Sequence, residues 1–581
     1  MKIVIAKTAG FCMGVRRAVE MVLDAPRRYQ EPISTFGPLI HNPQVLNLLR
    51  DKGIDILDDI PKNGRGTVLI RAHGVPPETR EALSRAGFTV IDATCPRVIK
   101  VQSIIRKHAA KGYASIIIGD KDHPEVIGLL GYAGDTGYVV DSLAGLDALP
   151  DFDKAIIVAQ TTQNTSFFRA VKAWAEKNHP TYKVFDTICD STSKRQAEVT
   201  QLATAVDAIV VVGGRASGNT MRLVEIAHQA GKPAFHVETE ADLDFQALST
   251  AQSIGITAGA STPNWIIKQV HQALERNLMT QRRGWRSLWF SLQRVLLLTN
   301  FYVALGAGCL CFAAAALQEI PRYTPYVLIA TLYVLSMHIL NYLTAKKSDK
   351  YNDPDRAAFY QKHKRLLTII AFITGGTGLI TAALLGKVPF IVLLTMSLMG
   401  LSYNMIIIPE QLASRFQYRR IRDIPGSKTF LIAMAWGLVT AILPSLSTTI
   451  HPDFPMIAAF IWTAGMVFAR TAFFDSLDIQ GNRIIGQETL PIILGEKRTL
   501  ALVKTILLGI GILLVLAGLS GMIPSLGFVL AVCPLALFGV LTLHERGYSL
   551  PLLRLEFTVE SHFLLAGLLA GLWTALCGPV S

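Results

Sequence analysis

Three cysteines stand in matching surroundings. "VIDATCPRVIKVQ" at 90–102 and "VFDTICDSTSKRQ" at 184–196 each run from an apolar pair through Asp and a hydroxyl residue to a cysteine, then into a polar, helix-like stretch. "IVIAKTAGFCMGVRRAVEMV" at 3–22 repeats the plan more loosely around Cys12. Each copy reads as a strand, a cysteine at the turn and a helix. Backbone N–H groups and the helix dipole at such a turn stabilise thiolates, so Cys12, Cys95 and Cys189 are candidate ligands converging on one point. None belongs to a CxxC pair, which argues against a zinc ribbon or a disulfide oxidoreductase. Thiolates from three separate places suit either zinc or an iron–sulfur cluster, and spacing alone leaves both open.

A second set of side chains suits an anion. His41 in "PLIHNPQV", His73 in "IRAHGVPPE" and His123, beside Glu125, in "GDKDHPEVIG" each follow an apolar strand-like run. The turns "AQTTQNT" (Thr161, Thr162), "GGRASGNTMRL" (Ser217, Asn219) and "TAGASTPNW" (Ser261) add hydroxyls and an amide. Taken singly, a loop histidine is a surface residue and Ser217, Asn219 or Ser261 a helix cap. Together they describe a polar lining in which Gly, Ser, Thr and Asn at helix starts would receive a phosphate or diphosphate.

The elements that position these residues occupy only half of the chain. With 581 residues the protein exceeds one hydrophobic core. Residues 1–280 mix charge, Gly and apolar runs as an α/β protein does, in three lobes, one per cysteine. Residues 281–291 are basic and read as a juxtamembrane linker. Residues 292–581 read as an all-α membrane domain of nine crossings, near 292–317, 324–343, 366–386, 388–408, 429–447, 455–474, 500–519, 523–542 and 562–579. Lys and Arg gather in "QRRGWRSLW", "AKKSDKYNDPDRAAFYQKHKR" and "QLASRFQYRRIRDIPGSK", whereas the alternate loops carry almost none. The positive-inside rule then places the N-terminal half in the cytosol and the C-terminus outside, as a multi-pass protein of the cytoplasmic (inner) membrane. The start "MKIVIAKTAG" lacks the apolar core of a cleaved signal, in keeping with a cytosolic N-terminal half. The net charge of +13 is thereby a topology signal and implies no nucleic-acid partner. Cys309, Cys311, Cys533 and Cys577 lie in apolar stretches as small buried hydrophobes. Asn341, Asp475 and Asp478 at the cytosolic ends of crossings favour a polar cavity there over solvated loops.

The ordered set "GFCMGVRRAV", "GPLIHNP", "RAHGVPP", "DATCP", "HPEV", "QTT", "DTICDST", "GGR" and "TAGASTP" resembles the 4-hydroxy-3-methylbut-2-enyl diphosphate reductase family across essentially all of 1–280. That resemblance implies a three-lobed α/β fold around a 4Fe-4S cluster held by Cys12, Cys95 and Cys189, with one iron free of protein ligands. It implies a reductive dehydroxylation in which two electrons and two protons remove the substrate hydroxyl as water, leaving isopentenyl or dimethylallyl diphosphate. Glu125 is the implied proton donor, with His123 and Thr161 near the hydroxyl; His41, His73, Ser217, Asn219 and Ser261 are implied diphosphate ligands, the histidines as imidazolium donors. Gly218 departs from members with a second serine there. A ferredoxin or flavodoxin is the implied electron donor.

The membrane half resembles the UbiA-type intramembrane prenyltransferases in "KYNDPDRA", "YRRIRDIPGSKTFLIAMAWG" and "DSLDIQGNRIIGQETLPIILG". The resemblance implies nine helices and a prenyl diphosphate held through Mg²⁺ by two Asp-rich motifs. Here those motifs retain Asn341, Asp349, Asp353 and Asp355, then Asp475 and Asp478. Tyr342, Ala345 and Asn482 replace carboxylates, which weakens any Mg²⁺ site. Three other readings stay open: prenyl transfer as the main activity, a cluster-based redox sensor on a membrane anchor, and a transporter with a regulatory domain.

Overall fold

The computed structural model describes residues 2–29, 31–281, 284–344, 352–403, 421, 424–446, 451–484, 487–548 and 550–577. It divides into two compact units, Met1–Gln281 and Arg282–Ser581.

The first unit is built on three four-stranded parallel sheets. Their central strands, such as Ala114–Ile118 (ASIII), Ala155–Ala159 (AIIVA) and Ala208–Val212 (AIVVV), are buried at every residue. Continuous β-branched runs of this kind are what a parallel sheet covered on both faces requires. One sheet has the order Lys2–Ile5, Ser253–Ala258, Ala208–Val212, Ala234–Val237, so the opening strand pairs with the last one of the unit. The second runs Asp55–Leu57, Ile33–Phe36, Thr67–Ile70, Thr89–Asp92. The third runs Gly137–Val140, Ala114–Ile118, Ala155–Ala159, Lys183–Val184.

Two of the cysteine-bearing helices cross between lobes. Helix Pro96–Ala109 follows the last strand of the second sheet, yet Val98, Val101 and Ile105 pack with Ile117, Val126 and Ile156 of the third lobe. Helix Asp190–Ala205 follows the third sheet and packs Val199, Leu202 and Ala203 against Ile209, Val211 and Ala6 of the first. Each fully buried Val or Leu here contributes roughly 1.5–3 kcal/mol. The crossover fixes where a helix begins, and its first residue is where the cysteine sits.

Among the described residues of the second unit seven helices are long and apolar enough to cross a membrane: Thr324–Thr344, Lys364–Leu385, Ser427–Ser445, Phe454–Leu477, Glu496–Leu519, Leu526–Glu545 and Leu552–Cys577. The expected first crossing is instead a pair, Ser287–Leu298 and Phe301–Leu317, bent by 73°. The break falls at Asn300, whose φ of 59° is left-handed and whose Nδ2 donates to Tyr360 Oη at 2.7 Å. A buried amide thus finds its partner off the helix axis, and the apolar run cannot continue straight. The segment expected as a linker is helical from Trp285. Lys387–Ser402 is a shorter apolar helix, and the rest of the expected fourth crossing lies outside the described residues. Its main core cluster reaches from Val303 to Ala570, and a smaller one gathers Leu335, Ile339, Tyr360 and Leu367.

Candidate active site

The three cysteines occupy equivalent positions. Cys12 is the N-cap of Met13–Arg28, Cys95 of Pro96–Ala109 and Cys189 of Asp190–Ala205. Each cysteine amide donates to a loop that also carries an anion-site candidate: Cys12 N to Ala260 O at 3.1 Å, Cys95 N to Ala72 O at 2.9 Å, Cys189 N to Thr161 O at 2.9 Å. Ala260 precedes Ser261 and Ala72 precedes His73. Gly14 is needed for space, since a Cβ there would collide with Cys95 Sγ.

Burial pushes the Cys12 thiol up, while the Val15 amide, 3.4 Å from its Sγ, and the Arg195 guanidinium pull it back. Burial likewise raises Cys95, against the amides of Arg97 and Val98. Each thiol interacts electrostatically with the others. Among the described residues only His41, His73 and His123 bring three metal-capable atoms within 4.8 Å of one another. Three free thiols at three separate helix starts, beside a buried arginine and outside any CxxC pair, are a donor set that suits an iron–sulfur cluster.

The histidine rings cluster with centroids 4.7 Å (His41–His73), 5.7 Å (His41–His123) and 5.5 Å (His73–His123) apart. Burial is the main cause that lowers all three: His123 to about 4, His41 and His73 as well, with Arg71 adding to the effect. They are therefore neutral at neutral pH, not the imidazolium expected from the sequence, until an anion draws protons onto them. His123 Nδ1 accepts from the Glu125 amide at 3.1 Å, closing the start of helix Pro124–Ala133. That contact assigns the neutral tautomer with hydrogen on Nε2, so the ring donates toward a ligand and cannot bind a metal through that atom. His41 Nε2, His73 Nδ1 and Asn219 Nδ2 are buried without a hydrogen-bond partner. Buried donors of this kind need a partner, and an anion supplies one. Ser261 Oγ lies 3.2 Å from His41 O and 3.4 Å from Ser217 Oγ, joining the first and second lobes.

Glu125 is 2% exposed. Its Oε1 accepts from Thr161 N at 2.7 Å and its Oε2 pairs with Thr161 Oγ1 at 2.9 Å. Desolvation outweighs both contacts and raises its pKa to about 6. Thr162, by contrast, holds Arg222 at 3.5 Å, and Arg222 forks onto Asp120 at 3.0 and 2.9 Å.

These residues match known proteins. The LytB protein family matches residues 3–275 and the UbiA prenyltransferase family residues 300–549. A protein of Opitutus terrae named 4-hydroxy-3-methylbut-2-enyl diphosphate reductase is 42% identical over 287 residues, 47% of this chain and 99% of the relative. The chain belongs to this reductase family. The reductase of Aquifex aeolicus is 41% identical, over 47% of this chain and 96% of its own. The solved reductase of Plasmodium falciparum is 29% identical, covers 49% of this chain and 90% of its own, and has a TM-score of 0.46. A UbiA homolog from Aeropyrum pernix is 14% identical over 46% of this chain and 98% of its own, with a TM-score of 0.36.

Beside the reductase unit, the membrane unit brings its two motifs together: Asn352 Nδ2 donates to Asn482 Oδ1 at 2.9 Å. Three of its carboxylates are already engaged. Asp353 accepts from Arg356 N at 3.1 Å and lies 3.3 Å from Arg356 Nε. Asp355 pairs with Arg294 at 3.6 Å. Asp475 is buried between Lys428 Nζ at 2.7 Å and Thr429 Oγ1 at 3.0 Å. Asp478 ends helix Phe454–Leu477, and its carbonyl accepts from Asn482 N at 2.9 Å. Asn341 lies in the last turn of Thr324–Thr344, and Asp349 lies outside the described residues. Tyr342, which stands in place of a family carboxylate, accepts from Arg356 through its Oη at 2.6 Å. Among the described residues this set does not offer the free hard-oxygen cage that Mg²⁺ requires.

Sequence reasoning missed Arg195, Glu198, Arg222 and Asp120. Arg195 showed only in the fragment "KRQ", which in a polar helix reads as solvent-facing; Arg222 and Asp120 stood unremarked inside "GGRASGNTMRL" and "GDKDHPEVIG", and Glu198 in no motif.

Proposed function

We propose that the first unit reduces 4-hydroxy-3-methylbut-2-enyl diphosphate to isopentenyl and dimethylallyl diphosphate, and that Cys12, Cys95 and Cys189 hold a 4Fe-4S cluster for it. The observation that carries this is the junction at Thr161. Its carbonyl accepts the Cys189 amide, while its amide and hydroxyl hold the buried Glu125 carboxyl. A proton store and a cluster ligand thus share one residue. A redox sensor needs the cysteines but has no use for a buried carboxyl of raised pKa beside them.

The cluster, when bound, supplies the two electrons one at a time, drawn from a small ferredoxin or flavodoxin type of donor. The chain's own residues do the rest. His41, His73, His123, Ser217, Asn219 and Ser261 receive the diphosphate, whose charge satisfies the orphaned imidazole and amide donors. That anchoring sets the substrate's hydroxyl end toward Thr161. Glu125 carries a proton at Oε2 and passes it through Thr161 Oγ1 to the departing hydroxyl, which leaves as water. A carboxyl of pKa about 6 is poised for this task near neutral pH. Enclosure of Glu125 and Thr161 keeps bulk water from delivering protons at random.

The second unit makes this a multi-pass membrane protein. The Lys/Arg-rich loops on one side support a cytosolic reductase unit at the cytoplasmic membrane. With Asp353, Asp355 and Asp475 already carrying Arg356, Arg294 and Lys428, the geometry favours anchoring over metal-assisted prenyl transfer.

Anaerobic purification of the full chain followed by electron paramagnetic resonance, with and without the hydroxylated diphosphate, tests the proposal. A substrate-dependent cluster signal with turnover to the two isomeric products supports it; zinc, or a cluster indifferent to the diphosphate, refutes it.

A further inference from the structure

A buried arginine lies among the cysteine ligands with no carboxylate of its own. Arg195 follows Cys189 on helix Asp190–Ala205 and is 3% exposed. Its Nη1 donates to Ala258 O at 3.0 Å, its Nη2 to Gly10 O at 2.6 Å, and its Nε has no partner. Both acceptors are neutral carbonyls flanking the Cys12 turn: Gly10 precedes Cys12 closely, and Ala258 ends the strand leading to Ala260, which accepts the Cys12 amide.

The anionic groups that interact with Arg195 are Cys12, Glu198 and Cys189. Glu198 is committed elsewhere. One turn further along the same helix, it accepts from Lys7 N at 2.6 Å, Thr8 N at 2.8 Å and Thr8 Oγ1 at 2.5 Å. The helix that starts at Cys189 therefore grips the Cys12 loop twice, Arg195 by its carbonyls and Glu198 by its amides. A buried guanidinium whose hydrogen bonds go only to carbonyls is stable when negative charge sits beside it, and here Cys12, Glu198 and Cys189 are the groups placed to supply it.

We propose that Arg195 is a positioning residue that sets the reduction potential of the iron–sulfur cluster held by Cys12, Cys95 and Cys189. Its fixed positive charge favours the reduced, more negative form, and its fork keeps the Cys12 turn in register with the Cys189 helix. The proposal rests on the reading of these cysteines as cluster ligands. Potentials of such clusters respond to net charge and hydrogen bonding nearby. Glu198, which holds the same loop with the opposite charge, must act in the opposite sense.

The test is a redox titration of the full-length protein under anaerobic conditions, followed by electron paramagnetic resonance, for wild type, Arg195→Gln, Arg195→Lys and Glu198→Gln. Arg195→Gln lowers the midpoint by at least a tenfold change in the oxidised-to-reduced ratio, about 59 mV for one electron. Arg195→Lys stays close to wild type, and Glu198→Gln moves the midpoint upward. A merely structural clamp predicts otherwise: both Gln variants lose iron, and the remaining cluster keeps its wild-type midpoint. That result overturns the proposal. If Arg195→Gln assembles no cluster, the other two variants decide, and a lowered midpoint in Arg195→Lys or an unmoved one in Glu198→Gln overturns it. A wild-type preparation without any cluster fails the reading of the cysteines themselves, which is a distinct result.

Discussion

Replacing Glu125 by Gln is predicted to make the protein more stable while it stops turnover. The wild-type carboxyl is fully buried and its pKa rises from an ordinary 4.5 to about 6, chiefly by desolvation. A group raised in the folded state stabilises the fold only while protonated. Its contribution is whole below about pH 4.5 and is lost as pH climbs through about 6. At about 1.4 kcal/mol per unit, the shift costs the neutral-pH fold ~2 kcal/mol. Glutamine keeps both contacts, its oxygen accepting from Thr161 N and its amide donating to Thr161 Oγ1, and carries no charge to desolvate. The variant therefore gains ~2 kcal/mol at about pH 8, some 4–8 °C in unfolding temperature for a unit of this size, and nothing near pH 4. The assay is thermal loss of the cluster's visible absorbance in the full-length protein at both pH values, beside product formation from the hydroxylated diphosphate. Retained turnover refutes the proton-donor role. A variant no more stable than wild type at high pH refutes the claim that burial dominates this carboxyl.

Four further outcomes follow from the same geometry. In wild type, turnover falls as pH rises through about 6, where Glu125 loses its proton, and a pH–rate profile in saturating substrate shows it. Asn219→Ala removes a buried donor with no internal partner, which should weaken diphosphate binding by ~1.5–3 kcal/mol, roughly 10- to 100-fold in KM, with kcat little changed. Gly218→Ser places its Cβ 3.3 Å from Arg222 Nη1 and 3.7 Å from Asp120 Oδ2, so the guanidinium must shift by a few tenths of an ångström; with that shift the added hydroxyl improves diphosphate binding by ~0.5–1.5 kcal/mol, read as a fall in KM, and a raised KM shows that the Arg222–Asp120 pair resists it. Arg470→Met strands Glu560, which is 1% exposed and hydrogen-bonded to the guanidinium. The membrane unit loses ~3–5 kcal/mol, visible as earlier unfolding in detergent, while the cluster signal persists.

Much of the reductase unit was legible because its physics is local. Runs such as "SIII" and "AIIVA" announce covered parallel strands, and a cysteine between such a strand and a polar helix announces a helix start. What the sequence hides is long-range. Arg195 belongs to a polar stretch that reads as surface, and only the crossover of its helix onto the first lobe buries it. The resemblance implied imidazolium donors; burial, with Arg71 nearby, lowers the pKa of all three histidines and favours their neutral form. In the membrane unit hydropathy located the helices but passed over the bend at Asn300, since one amide in a long apolar run barely alters a windowed average. The pairing of Asp475 with Lys428 joins residues from different helices and leaves no pattern in either motif.

The opening strand, Lys2–Ile5, finds its only sheet partner in Ser253–Ala258. During synthesis it emerges long before that partner and must wait, unpaired, until nearly the whole unit has left the ribosome. By then the apolar residues from Ser287 onward are being polymerised behind it. Completion of the first lobe thus coincides with arrival of the segment that calls the ribosome to the membrane. Until that pairing is made the first lobe keeps an exposed strand edge, a template for pairing with other chains.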